Sequence, residues 1–386
     1  MHSVCKNVLT IIAVGSLILG NISSSAEAGA PAPAPGASGT GKPKVQVAHI
    51  GSFSFQNGAV VPNFRISYVT RGKLNKDKSN VVLVMHHFFG DRFSTDFLIG
   101  PGNAFDTEKY FVVSTDFLGN SREDKDITTG PTNSGLRMLF PDYTMYDSTH
   151  LEVKLLKEQL GIERILAASG VSYGAMKSFQ IGASFPNFVS SIIPIVGNHK
   201  TDARTRIVLG DMKRAISMHP GWLGGNYVTN PGLAPQFAMR LTLPWLYSQS
   251  FFRKALNGPE GREQFDKTWE KWFGAARADA RDFFYSIDTW RNFDIGKAPG
   301  FDGDTDAALR GIKAKTLIVA ARDDMLFDRE SLMHATKLIP DAEHLEIDTM
   351  FGHMICCGFG GSAVGEMKTA ISTFLAARLK EVSQEK

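Results

Sequence analysis

Ile165-Leu166-Ala167-Ala168-Ser169-Gly170-Val171-Ser172-Tyr173-Gly174-Ala175-Met176 is the stretch on which the reading of this chain turns. A short apolar run enters a Gly-x-Ser-x-Gly pentapeptide, and a helix-compatible segment leaves it. Strand, sharp turn, then helix is the order that a nucleophile elbow requires. Such a turn holds its serine in a strained backbone conformation, so the neighbours have to be glycines or other small residues. Ser172 then projects from the strand end above the N-terminus of the next helix. With 37 glycines in 386 residues, chance matches to the pentapeptide are not rare, and context has to decide.

The context is a series of apolar runs. Val81-Val82-Leu83-Val84-Met85 is continuous, as expected of a central strand buried on both faces. Tyr110–Ser114, Ile165–Ala168, Ile192–Val196, Thr316–Ala320 and His344–Ile347 read as further strands, and the alternating stretches Val45–Phe55 and Asn63–Thr70 as an antiparallel edge meander. Helical periodicity falls between several of them, over about Tyr146–Leu160, from the elbow to Phe185, and over about Ser362–Leu379. Strands alternating with helices at this length predict an α/β protein with a doubly wound, mostly parallel sheet covered on both sides. The pattern breaks between about His199 and Gly303, where only helices are convincing. All five tryptophans (Trp222, Trp245, Trp269, Trp272, Trp290) lie there. They suit either a cap with an aromatic underside over an apolar pocket or the private core of a small helical subdomain.

Ahead of the fold, Lys6, the 13-residue apolar run Val8–Gly20 and Ala26-Glu27-Ala28 have the order of a cleavable signal peptide over residues 1–28. The run is shorter than the roughly 20 residues that span a bilayer core, so no stable membrane anchor is expected after cleavage. Residues 29–44, rich in Pro, Ala and Gly, read as an extended linker. The net charge is +3, with 42 basic and 39 acidic residues, and no basic stripe points to nucleic acid. A periplasmic or secreted location follows.

A serine hydroxyl needs a general base, and the base needs an orienting acid. On a doubly wound sheet the acid and then the histidine follow the serine, on loops after later strands. Arg322-Asp323-Asp324 follows one strand and Gly352-His353 follows the last. His353 is the natural base. Asp324 is favoured as the acid over Asp323, which is placed to pair with Arg322 or cap the turn, while Asp328 fits the N-cap of the next helix. Oxyanion donors are expected from the backbone N–H of Tyr173, directly after the nucleophile, and of Phe88, in the loop His86-His87-Phe88-Phe89-Gly90 after the central strand. Two adjacent histidines without a third ligand do not make a zinc site, so neither metal nor cofactor is expected. Of the three cysteines, Cys5 would leave with the signal peptide. The neighbours Cys356 and Cys357 are either a strained vicinal disulfide or two buried thiols.

Taken together, these motifs resemble the α/β-hydrolase superfamily and, within it, the homoserine O-acetyltransferase-like branch. The similarity runs from about Phe64 to Phe374 and is carried by Leu98-Ile99-Gly100-Pro101-Gly102, Phe117-Leu118-Gly119-Asn120, Gly221-Trp222-Leu223-Gly224-Gly225-Asn226-Tyr227, Asp324-Met325-Leu326-Phe327 and Gly352-His353. The resemblance implies the α/β-hydrolase fold with core segments 45–197 and 306–386, an inserted helical lid at 198–305, Asp324 rather than Asp323 as acid, and a homodimer formed through the lid. Transferases of the branch grip their amino acid with a lid arginine and an aspartate after the catalytic histidine. Here Lys213 and Met354 stand at those positions, and with Tyr285 in the lid they are the expected substrate contacts. A methionine cannot bind an ammonium group, and lysine lacks the planar fork that grips a carboxylate. The resemblance therefore implies a small-molecule acyl substrate with a less polar partner than homoserine, and water as the acyl acceptor of an esterase-type enzyme, an acyltransferase being the alternative.

Overall fold

The computed structural model describes residues 43–119, 128–256, 258–275 and 279–384; for 272–275 it describes the backbone only. The expected signal peptide and nearly all of the linker lie outside them. Eight strands form one sheet: β1 (Gln46–Ser54), β2 (Val60–Arg71), β3 (Val81–Met85), β4 (Phe111–Thr115), β5 (Ala167–Val171), β6 (Ser191–Ile195), β7 (Lys315–Ala321) and β8 (Ala342–Ile347). Their spatial order is β1-β2-β4-β3-β5-β6-β7-β8. The β1–β2 and β2–β4 pairs are antiparallel and the other five are parallel. The sheet is thus doubly wound about β3 and β5, and the edge meander is the antiparallel part.

Alternation along β3 explains why its run is continuously apolar. Val81, Leu83 and Met85 pack into the core on one side, Val82 and Val84 into the core on the other. The first side is covered by α1 (Met145–Lys154) and α2 (Tyr173–Ser184), the second by α11 (Ser362–Gln384) through Met367, Ile371, Phe374 and Leu375. The periodic segment read as Tyr146–Leu160 is α1 followed by one wider π turn, Leu155–Gln159, closed by the Leu160 amide on the Leu155 carbonyl. β5 begins two residues later than the apolar run suggested, Ile165 making only an isolated bridge to Val189, and it runs straight into the elbow.

Between β6 and β7 the described residues hold no strand and seven helices: α3 (Ala203–Ser217), α4 (Leu233–Arg240), α5 (Leu243–Leu246), α6 (Gln249–Ala255), α7 (Pro259–Ala275), α8 (Ala280–Arg291) and the short α9 (Thr305–Arg310). α3 packs on α4 and α8. The last helix before β8 is α10 (Arg329–Leu338), capped by the Asp328 carboxylate, which accepts from the Glu330 and Ser331 amides. Among the described residues no helix is long and apolar enough to cross a membrane.

Beneath the elbow lies an ion pair that periodicity did not announce. Lys177 on α2 and Glu152 on α1 are fully buried and joined Nζ to Oε1 at 2.7 Å; Thr115 at the end of β4 donates to the same oxygen at 2.6 Å. Burial pulls the Lys177 ammonium below its usual pKa, opposed by Glu152. Losing one partner of such a pair strands the other charge, at about 3–5 kcal/mol, so it locks α1 to α2.

Candidate active site

Ser172 stands between β5 and α2 with φ 55° and ψ −116°, a region that costs a non-glycine residue about 1–3 kcal/mol. Three glycines let the chain close around it. A Cβ on Gly170 would lie 2.4 Å from the Gly174 carbonyl, one on Gly174 2.3 Å from the Met85 oxygen, and one on Gly197 2.4 Å from the Ser172 oxygen. None of the three has a positive φ, so contact rather than backbone conformation demands glycine there. The Ser172 amide donates to Ile195 (2.9 Å), and its carbonyl accepts from Ala175 (2.9 Å) and Met176 (3.2 Å). The turn is therefore tied to both β6 and α2.

The Ser172 hydroxyl lies 2.8 Å from His353 Nε2, and His353 Nδ1 lies 2.8 Å from Asp324 Oδ2. The other Asp324 oxygen accepts the Leu326 and Phe327 amides at 2.8 and 3.0 Å, so the carboxylate is fixed by the loop after β7. Ser172 and His353 are 3% and 2% exposed, and the Asp324 side chain 5%. His353 sits in a tight turn, Gly352–Cys357, after β8. Gly352 opens it with φ +55°, and a Cβ there would come within 3.0 Å of the Ser248 amide and the Asp323 carbonyl. Ser248, at the N-cap of α6, donates its hydroxyl to the Met350 carbonyl and so ties the histidine loop to the helical insertion. Asp323 is not the partner of Arg322, whose guanidinium reaches Glu346 and Asp348 across β8 instead.

Ser172 and His353 open on a cavity of about 110 Å³. Met239, Thr242, Leu246, Trp269 and Trp290 come to it from the insertion; Phe88, Phe89, Leu326 and Met354 come from core loops, with His87, Cys356 and Cys357 beside them. Among the described residues no carboxylate, lysine or arginine lines it. Tyr173 heads α2 directly after Ser172, where first-turn amides have no partner within the helix. The Phe88 ring lies 5.4 Å from that of Tyr173 and 4.9 Å from that of Trp290, which brings the loop after β3 against the elbow. His86 stacks on Phe117 with ring centres 3.6 Å apart, and burial pushes its pKa well below the usual range, so it is a neutral wedge. Among the described residues no group of three His, Cys, Asp or Glu side chains is placed to hold a metal ion.

Of the expected substrate contacts, only Met354 reaches the cavity. Lys213 pairs with Asp288 and lies 3.8 Å over the Phe284 ring, and it does not line the cavity. Tyr285 gives its hydroxyl to the Met138 and Phe140 carbonyls and borders a different cavity of about 250 Å³, which touches none of Ser172, Asp324 and His353. Tyr285 thus ties the insertion to the core, while Lys213 joins two helices within the insertion. Of the tryptophans, Trp269 and Trp290 line the cavity, while Trp222 stacks on Phe284 and Trp245 lies under Arg204; the Trp272 side chain falls outside the described residues. Sequence reasoning missed Met239, Thr242 and Leu246, which carry no motif, and Gly197, whose role is visible only once β6 lies beside the elbow. The two cysteines are free thiols, with Sγ atoms 3.4 Å apart.

Comparison with known proteins agrees with this fold. The model of the alpha/beta hydrolase fold family matches residues 80–357. An ethyl acetate hydrolase of Pseudomonas veronii is 26% identical over 340 residues, 86% of this chain and 95% of its own length. A homoserine O-acetyltransferase of Deferribacter desulfuricans is 29% identical over 343 residues, 78% of this chain and 88% of its own. The crystal structure of an acetylester hydrolase from Corynebacterium glutamicum superposes with a TM-score of 0.79 at 23% identity, over 86% of this chain and 96% of that one. The chain therefore belongs to the alpha/beta hydrolase fold family, in its homoserine O-acetyltransferase-like branch, and is an enzyme with esterase-like or acyltransferase activity.

Proposed function

We propose that this protein is an exported serine esterase that cleaves small carboxylic esters, with a short acyl chain, through an acyl-enzyme. Ser172 attacks the ester carbonyl while His353 takes its proton; Asp324 holds the imidazole in the tautomer that leaves Nε2 free to accept, and stabilises the imidazolium. The amides of Tyr173 and Phe88 donate to the tetrahedral oxyanion, each worth on the order of 3 kcal/mol. His353 then returns the proton to the leaving alcohol, and water repeats the sequence to release the acid.

The observation that carries the reading is the 2.8 Å contact of Ser172 with His353, on an apolar cavity of about 110 Å³. That volume is below the roughly 150 Å³ that encloses a benzene ring, so it suits an acetyl or similarly short acyl group. Among the described residues an amino-acid acceptor would find no carboxylate, lysine or arginine there to pair its ammonium and carboxylate, which favours water. The name of the Pseudomonas veronii relative supports the same class of substrate. Export is supported by Lys6, the run Val8–Gly20 and Ala26-Glu27-Ala28, and acetyl-CoA is not expected outside the cytoplasm.

The test compares hydrolysis with transfer. Purified protein is given p-nitrophenyl acetate in water and, separately, acetyl-CoA with homoserine and other alcohols. A burst of p-nitrophenol followed by turnover, with no thiol released from acetyl-CoA, supports hydrolysis. Acceptor-dependent release of CoA identifies a transferase and overturns it. For export, the N-terminus of the protein in a periplasmic extract should lie at Gly29; an uncleaved chain in the cytoplasmic fraction contradicts it.

A further inference from the structure

Cys356 and Cys357 do nothing in the mechanism above, yet both border its cavity. They end the tight turn that begins at Gly352, three and four residues past His353. Their sulfurs are 3.4 Å apart, and Cys357 is partly exposed while Cys356 is buried. A disulfide would need the two sulfurs at about 2.05 Å, so oxidation has to reshape the turn that carries His353. A single atom bonded to both fits as they stand. With sulfur–ligand bonds of about 2.3 Å, a 3.4 Å gap subtends about 95° at the bridging atom. That angle is too narrow for a tetrahedral zinc ion, and among the described residues no third ligand is placed to complete one. It suits a pyramidal trivalent centre that takes two sulfurs from the protein and brings its own third substituent.

We propose that Cys356 and Cys357 form a vicinal dithiol site that captures trivalent arsenic compounds at the edge of the Ser172 cavity. With an aryl arsenic(III) oxide, two arsenic–sulfur bonds form and the arsenic–oxygen double bond breaks. Both thiol protons leave on that oxygen as one water, and arsenic stays trivalent throughout. Cys357 is the point of first attack. Its sulfur accepts from the Cys356 thiol and lies beside His87, and these hold its pKa well below the usual range against the effect of burial. The thiolate reaches the incoming arsenic from the cavity, and Cys356 closes the ring. The aryl group, too large for the cavity to enclose, then lies across its opening and blocks the approach to Ser172 and His353. This last consequence rests on the ester-cleaving reading; capture itself does not.

The test uses the full chain carrying Cys5→Ser, treated with one equivalent of phenylarsine oxide. Peptide mapping should place the arsenic, with loss of one water, on the peptide that holds both cysteines. Because the second sulfur bonds intramolecularly, the adduct should resist a monothiol about 100-fold better than that of a Cys357→Ser or Cys356→Ser variant, and yield to 2,3-dimercaptopropanol. Hydrolysis of p-nitrophenyl acetate should fall with the same stoichiometry and return with the dithiol. An unmodified protein, or an adduct that a monothiol removes equally from all three proteins, overturns the site; a full adduct that leaves hydrolysis untouched overturns its place over Ser172 and His353. A protein that never hydrolyses the ester overturns the functional reading, and the mapping and monothiol results still decide the dithiol.

Discussion

Replacing Asp324 by asparagine changes one atom in the buried contact that orients His353. The carboxylate now accepts three hydrogen bonds, from the amides of Leu326 and Phe327 at 2.8 and 3.0 Å and from His353 Nδ1 at 2.8 Å. An asparagine keeps the two backbone donors only by turning its carbonyl toward them. Its NH₂ group then faces Nδ1, which must become the acceptor. The ring proton moves to Nε2, the atom 2.8 Å from the Ser172 hydroxyl, and no lone pair remains there to take the serine proton. The expected loss in kcat/KM is about 10³–10⁴-fold, or about 4–5.5 kcal/mol of transition-state stabilisation. Initial rates on p-nitrophenyl acetate measure it, with a melting scan to show that the protein remains folded. The opposite amide orientation would strand two buried backbone donors and lower Tm, which the same scan detects. A folded Asp324→Asn enzyme within tenfold of wild type would refute the assignment.

Other outcomes follow from the same geometry. Trp269→Ala opens the wall of the cavity contributed by the insertion. Two further acyl methylenes buried there at about 0.8 kcal/mol each should raise the butyrate-to-acetate ratio of kcat/KM about fifteenfold, and an unchanged ratio contradicts this wall. Gly174→Ala would drive a Cβ to 2.3 Å from the Met85 oxygen; the end of β3 has to retreat, and a urea midpoint should report a loss of about 3 kcal/mol, against which a shift below about 0.5 kcal/mol would tell. Burial holds His199 at a pKa of about 4, below its ordinary 6.5. The folded protein therefore binds fewer protons than the unfolded chain between those values. Stability from this group is complete above pH 6.5 and drains as pH falls through 4, about 3 kcal/mol in all. His199→Phe should flatten the urea midpoint between pH 7 and 4.5, and parallel curves would contradict the cause.

What could be read from the chain alone was local. The run Val81–Met85 announces a doubly buried strand because both of its faces are apolar, and Gly170 and Gly174 announce a turn because nothing larger fits. Gly352-His353 is legible for the same reason: a loop glycine beside the one histidine between the last strand and the last helix. What escaped was long-range pairing. Lys213 has the position of a substrate ligand in sequence, but Asp288, 75 residues away, holds it. Tyr285 looks like a lid aromatic, yet its hydroxyl is committed to carbonyls 145 and 147 residues earlier. The buried Lys177–Glu152 pair breaks the apolar pattern on both of its helices, and neither helix alone shows why. Charges whose partners lie far along the chain leave no periodic trace.

The central claim, that Ser172 is the nucleophile activated by His353, is tested most directly by covalent trapping. Diisopropyl fluorophosphate should add one phosphoryl group per chain, on the peptide containing Ser172, in step with loss of ester hydrolysis. Labelling should slow sharply in a His353→Ala variant. A label on any other residue, or a Ser172→Ala protein that still turns over p-nitrophenyl acetate, would contradict the account.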